Sequence, residues 1–404
     1  MALRVYRRFS QIATLKKALI KDGRFLAPED LSIIENASIV FDDTSILWIG
    51  EDSHLPAKYF SLPSVSFEGH CAVPEIVDSH THLVFGGDRS HEYFMRLCGT
   101  TYEALASKGG GILSTVKSTK SLSKEDMLVL AGQRIEKMYR LGIGTIEIKS
   151  GYGLDMEKEY ELSCVINELK SLYAHKVRIQ NTFMAAHAVP QGMTSSFYMK
   201  TVVLPLLNRL ASQHSIDAVD IFHENGYFST ADVEELFRAA IKVGIPVKAH
   251  VDEFADNGGA ALVTKFHALS AEHLLHTGDE GIQALASSKT VAVLLPGTAF
   301  FLGKQHANAR KFFDAGVKVA IGSDYNPGSC HWGNVLAIAS MAAPLYHMNP
   351  AELWSSITLN AAHALGLSDQ GALLEGMSPR LSIFKTDKIE KITYSWGENL
   401  SANA

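Results

Sequence analysis

Two histidines one residue apart, His80 and His82, close the stretch Val77-Asp78-Ser79-His80-Thr81-His82. The preceding Val73-Pro74-Glu75-Ile76 reads as a buried strand. Side chains alternate faces along an extended strand, so residues two apart point the same way. The pair can therefore hold one metal ion, and imidazole accepts Zn, Fe, Ni or Cu, so the pair alone names no metal. A His-x-His by itself is a weak signal. It gains weight because His250, His273 and Asp324 also fall at the ends of predicted strands. The remaining histidines, His187 apart, have no such support and read as structural or surface groups.

Those five residues need elements that bring them together. Eight apolar strand candidates run through the chain, at 73–78, 145–150, 179–187, 218–222, 246–251, 269–274, 291–296 and 317–324. Amphipathic helices separate most of them. Ser123 with Asp126 three residues on is a helix start, after which Met127, Ala131, Ile135, Met138 and Leu141 hold one face. Another helix spans 231–243, with Val233, Leu236, Phe237, Ala240 and Ile241 on one side and Gly244 as the stop. Strands alternating with helices predict an α/β fold, a (β/α)8 TIM-type barrel, whose active site sits at the C-terminal ends of the strands. His80, His82, His250, His273 and Asp324 all fall on that rim. The long stretch between the first two strands reads as irregular, a place for a lid or substrate loop.

Before the barrel, residues 32–50 read as two β-rich runs around the acidic turn Asp42-Asp43, a hairpin. Met1 to Lys21 carries six basic residues and no acid, a composition shared by transit peptides, but a first strand is the preferred reading. Residues 1–72 together with 369–404 are expected to form a small composite β-sandwich domain, and 73–368 the catalytic barrel.

Composition narrows the class. The 404 residues are 47% hydrophobic, enough for a large core, and carry a formal net charge of −6 with both signs interspersed. No basic footprint for nucleic acid and no span for a membrane is expected. Four scattered cysteines, Cys71, Cys98, Cys164 and Cys330, form no Cys-x-x-Cys, which points to a reduced, cytoplasmic protein.

Beyond the general pattern, the chain carries Phe85-Gly86-Gly87-Asp88-Arg89, Gly109-Gly110-Gly111-Ile112, Glu147-Ile148-Lys149-Ser150-Gly151-Tyr152-Gly153-Leu154 and Ala186-His187-Ala188-Val189-Pro190. To these it adds His250-Val251-Asp252-Glu253 and Ser323-Asp324-Tyr325-Asn326-Pro327-Gly328-Ser329. In these motifs nearly the whole chain resembles the amidohydrolase superfamily and, within it, the imidazolonepropionase family. The resemblance implies one Zn²⁺ or iron ion per chain, held by His80, His82, His250 and Asp324. It implies Glu253 as the general base over the attacking water, His273 as a hydrogen-bond partner of the water or oxyanion, and Asp324 as both ligand and proton acceptor. The reaction implied is hydrolysis of a ring C–N bond of 4-imidazolone-5-propanoate, giving N-formimidoyl-glutamate in histidine degradation.

That small anionic imidazolone needs a cation for its carboxylate, and Arg89 is the candidate. Tyr102, Tyr152, His187, Asn326, Gly328 and Ser329 are expected around it. Lys149 is expected as an ion pair beneath the site. A homodimer is expected. A cyclic-amidine deaminase would share the metal set and the His-x-x-Glu pair, but Arg89, Tyr152 and residues 326–329 count against a neutral base. The chain departs from the family at Glu75, where a glycine is usual, and at Ser378-Pro379-Arg380-Leu381-Ser382-Ile383-Phe384, which predicts a reduced C-terminal sheet.

Overall fold

A computed structural model describes residues 3–100 and 110–403. The chain opens with strands β1 (Arg4–Ala13), β2 (Ile33–Phe41), β3 (Ile46–Glu51), β4 (Ser64–Ser66) and β5 (Cys71–Pro74). β1, β2 and β3 form an antiparallel meander, with Ile12 opposite Ile34 and Ile39 opposite Ile49. The strand Leu381–Phe384 completes the sheet by pairing antiparallel with β5, Leu381 opposite Pro74 and Phe384 opposite Cys71. The order is therefore C-terminal strand, β5, β1, β2, β3, with β4 beside β1. One face buries Phe9, Ile12, Ile39, Phe41 and Ile46. The basic N-terminal stretch is thus a strand from Arg4 onward, and the C-terminal segment supplies its sheet with one short strand.

The second sheet is wholly parallel: β6 (Ile76–Asp78), β7 (Ile143–Lys149), β8 (Arg178–Ala186), β9 (Ala218–His223), β10 (Lys248–Val251), β11 (Ser270–His273), β12 (Val291–Leu294) and β13 (Val319–Ile321), neighbours in chain order. Helices cover its outer face and the strands' own side chains fill the interior, so β7 has no exposed residue. The first and last strands meet just past their ends. The Asp324 N–H donates to the His80 carbonyl at 3.0 Å, and the His82 N–H to the Tyr325 carbonyl at 3.0 Å. This seam closes the TIM-type barrel, and His80, His82 and Asp324 lie on it, while His250 comes from β10.

Several expectations change in detail. The first barrel strand does not run from 73 to 78. Cys71–Pro74 belongs to the terminal sheet and only Ile76–Asp78 to the barrel. The switch occurs at Glu75, whose carboxylate accepts from Thr145 at 2.6 Å and Arg380 at 2.7 Å. Among the described residues, the stretch between the first two barrel strands carries helices Ser90–Leu97, Ile112–Lys120 and Lys124–Arg140 where an irregular run was expected. The last of these is capped by Ser123, whose hydroxyl accepts from the Asp126 N–H at 3.1 Å. In the helix Thr230–Lys242, Val233, Leu236, Phe237 and Ala240 are buried, but Ile241 is half exposed, one position beyond the stripe. No helix among the described residues is long and apolar enough to cross a membrane.

Candidate active site

At the barrel rim the imidazoles converge. His80 Nε2 lies 3.4 Å from Asp324 Oδ1, and His82 Nε2 lies 3.7 Å from the same oxygen. His250 Nε2 is 3.4 Å from His82 Nε2. His80 Nε2 is fully buried and has no hydrogen-bond partner among the described residues. The donor atoms of His80, His82 and Asp324 lie within 4.8 Å of one another, and so do those of His80, His250 and His273; the two triads share His80, and their imidazole and carboxylate donors fit a divalent ion. Burial holds His82 and His250 well below the usual histidine range, so both present neutral lone pairs. Burial works the same way on His80, but the Glu272 carboxylate outweighs it and pushes this one up to about 9. Burial also opposes charge on Asp324, yet the neighbouring His80 outweighs it and the carboxyl stays below the ordinary range.

The seam and two backbone anomalies aim these groups. Asp324 and His273 are non-glycine residues with positive φ, 51° and 74°. Such φ values are uncommon and cluster at functional sites. At His273 the turn breaks strand alternation, so Glu272 and His273 both reach the barrel interior. The Asp324 Oδ2 atom accepts from the Thr298 hydroxyl at 2.7 Å and from Ser329 at 3.2 Å, which leaves Oδ1 toward the histidines. Glu253 forms the cavity wall with His273, whose Nε2 is 3.6 Å from Glu253 Oε2. Burial, helped by the nearby Asp324 charge, pushes Glu253 up to about 8.

The substrate-type residues line the same cavity: Arg89, Tyr152, His187, Asn326 and Ser329, with Phe222, Tyr227 and Phe254 as an aromatic wall. The His187 ring stacks on His82 at 4.8 Å and 14°. Gly328 abuts Arg89, for a Cβ there would collide with the guanidinium. Tyr102 falls outside the described residues. Three details add to this picture. Arg89 is buried and paired with Glu92, 2.7 Å from Nη2, and Glu92 also accepts from the Gly111 N–H. The Asn326 side chain is spent on its own loop, accepting from Gly328 and Ser329 N–H at 2.8 Å each and donating to the Asp324 carbonyl at 2.7 Å. Gly151, at φ +117°, admits the His187 side chain and the Met184 carbonyl rather than a ligand, since a Cβ would meet them at 2.9 and 2.8 Å.

Beneath the rim lies a charged layer whose extent sequence reasoning missed. Lys149 Nζ contacts Asp220 at 2.6 Å, Glu147 at 2.8 Å and Glu272 at 2.9 Å, and all four side chains are fully buried. Burial disfavours the ammonium, but the three carboxylates outweigh it and raise Lys149 well above its ordinary value. Lys248, also buried, contacts Glu147 at 2.5 Å and Glu272 at 2.8 Å. The signal was present: Glu147 and Lys149, two apart on one strand, and the single charges Asp220 and Lys248 stand within otherwise apolar strands. Thr298 and Glu92 carry no comparable signal.

Comparison with known proteins agrees with this geometry. The chain is 39% identical over 370 residues to an imidazolonepropionase of Paracoccus denitrificans, covering 91% of this chain and 92% of that one. It is 38% identical over 389 residues to an imidazolonepropionase of Cereibacter sphaeroides, covering 96% of each. Among solved structures it resembles the zinc complex of an atrazine chlorohydrolase from Arthrobacter aurescens, with TM-score 0.74, 18% identity and coverage of 96% of this chain and 88% of that one. A zinc-bound adenosine deaminase from Xanthomonas campestris has TM-score 0.73 at 15% identity, with coverage of 98% and 90%. At such identities these two speak for the fold alone. The amidohydrolase family itself matches residues 71–400, from the strand that leaves the terminal sheet through every rim residue described above, and the chain belongs to that family.

Proposed function

We propose that this chain is a metal-dependent hydrolase that opens a ring C–N bond of 4-imidazolone-5-propanoate to give N-formimidoyl-L-glutamate, a step of histidine degradation. The observation that carries the reading is the near-full-length identity to imidazolonepropionases. The rim geometry is compatible with it. His80, His82, His250 and Asp324 would hold one ion, Zn²⁺ or iron, since imidazole and carboxylate accept either. When bound, that ion supplies Lewis acidity and acidifies a water.

The chain's own groups do the rest. Glu253 takes the proton of the attacking water and returns it to the departing ring nitrogen, a transfer for which a carboxyl raised to about 8 is well matched near neutrality. His273, beside it, donates to the oxyanion that forms at the attacked carbon. Arg89 meets the propanoate. Its pairing with Glu92 means the substrate carboxylate joins an existing ion pair rather than a bare guanidinium, which holds the fork in place before binding. Tyr152 and His187 flank the ring, and the loop shaped by Asn326 brings Gly328 and Ser329 to the same cavity.

The test is the product. With freshly made imidazolonepropanoate, its absorbance should fall and formiminoglutamate appear, with no stoichiometric ammonia. Ammonia released from cytosine or guanine, with imidazolonepropanoate untouched, would overturn the reading in favour of a deaminase.

A further inference from the structure

Two of the converging imidazoles are gripped from behind. His80 Nδ1 lies 2.7 Å from Glu272 Oε2, and His250 Nδ1 lies 3.1 Å from Asp220 Oδ1. Neither carboxylate is free to turn. Glu272 Oε1 meets Lys248 at 2.8 Å and the Ser270 hydroxyl at 2.7 Å, while its Oε2 meets Lys149 at 2.9 Å. Asp220 Oδ2 meets Lys149 at 2.6 Å. Lys248 also donates to the Ser79 carbonyl at 3.3 Å, one residue before His80. We infer that Glu272 and Asp220, clamped by Lys149 and Lys248, are positioning residues that turn the Nε2 lone pairs of His80 and His250 into the cavity. The inference rests on the metal-site reading above and adds to it the groups that fix the ligands.

The physical reason is tautomeric. His250 gives its Nδ1 proton to Asp220, so it must present Nε2 as a lone pair and cannot rotate without losing that bond, while His80 Nδ1 stands in ion-pair contact with Glu272 Oε2, which draws its proton to the same side. Three carboxylates, Glu147, Asp220 and Glu272, face two ammoniums, so the layer keeps one negative charge on the side of the histidines. A cation at the rim is favoured by that surplus, whereas a layer that served folding alone would need no excess charge directed at the rings.

The test compares the zinc-loaded wild type with Glu272→Gln and Asp220→Asn. Zn²⁺ affinity is measured by competition with a chromogenic chelator, and the visible bands are recorded after Co²⁺ substitution. Each variant should lose about 10- to 100-fold in affinity, the range for outer-shell partners, and its Co²⁺ bands should move. Should Glu272→Gln fail to fold, the charge-balanced pair Lys248→Met with Glu272→Gln removes one charge of each sign and is read the same way. Variants that lose thermal stability but keep wild-type affinity and Co²⁺ bands would overturn the inference. In the zinc-loaded wild type, ¹⁵N spectra of the histidine rings should show the proton on Nδ1 of both His80 and His250; a proton on Nε2 of either ring in that state would overturn it as well. A wild type that binds no Zn²⁺ would instead remove the metal-site reading itself.

Discussion

Two buried charged clusters sit at opposite ends of the same barrel. Below the strands, Glu75 accepts from Thr145, Arg380 and Gln370, and Arg380 also donates to the Gly144 carbonyl at 3.0 Å. Near the top, Lys149 and Lys248 hold Glu147, Asp220 and Glu272. Both take carboxylates out of water, which is costly unless each is paired. They differ in where the bonding ends. The lower cluster closes on itself and joins the terminal sheet to the barrel. The upper one hands two contacts on to imidazoles whose far nitrogens face a cavity. Burial and charge are common to both, so what separates a site from a joint is the side chain left pointing into open space.

The sharpest way to break this contrast is to remove a rim ligand. His80→Ala, or treatment of the wild type with a strong chelator, should abolish both bound metal and turnover; active protein with no metal by elemental analysis would refute the rim reading. Next in size, Glu253→Ala should lower kcat by about two to four powers of ten, the range for a general base, while metal content stays near one ion per chain. Metal loss in that variant would make Glu253 a ligand instead. Arg89→Met should lower kcat/KM by about two powers of ten, since truncating one partner of a buried charge pair costs roughly 2–5 kcal/mol, again with metal retained. A neutral-base deaminase would barely notice that change. At the lower cluster, Glu75→Gln should reduce unfolding free energy by about 1–3 kcal/mol, as for a buried group left imperfectly bonded, with kcat/KM and metal content unchanged. A fall in turnover there would erase the distinction between the two ends.

What could be read in advance follows from this difference. The barrel strands were legible because parallel strands buried on both faces are short apolar runs, and the rim residues because His80, His82, His250 and Asp324 end such runs. Of the upper charged layer only Lys149 reads as an ion pair from the sequence; Glu147 shares its strand, but Asp220, Lys248 and Glu272 lie on other strands, and pairing across a barrel leaves no local pattern that joins them. The break at Glu75 was hidden because one continuous extended segment serves two sheets, and strand periodicity does not say which sheet owns it. The Arg89–Glu92 pair has helical spacing of three, common on solvated surfaces, so burial alone gives it meaning. Thr298 reaches Asp324 from a helix after another strand, and nothing in its neighbours marks it.

The seam also dictates an order of events in time. His80 and Asp324 are joined by a backbone hydrogen bond across a sequence separation of 244. Contacts of such separation form late, because the entropy of closing the loop must be met before they contribute. Strand by strand, the helices and the inner strands can form from neighbours in sequence, but the donor cluster cannot assemble until β13 has found β6. Any ion captured there therefore binds only a finished barrel, and its uptake during refolding should lag the recovery of helical signal and coincide with the last kinetic phase.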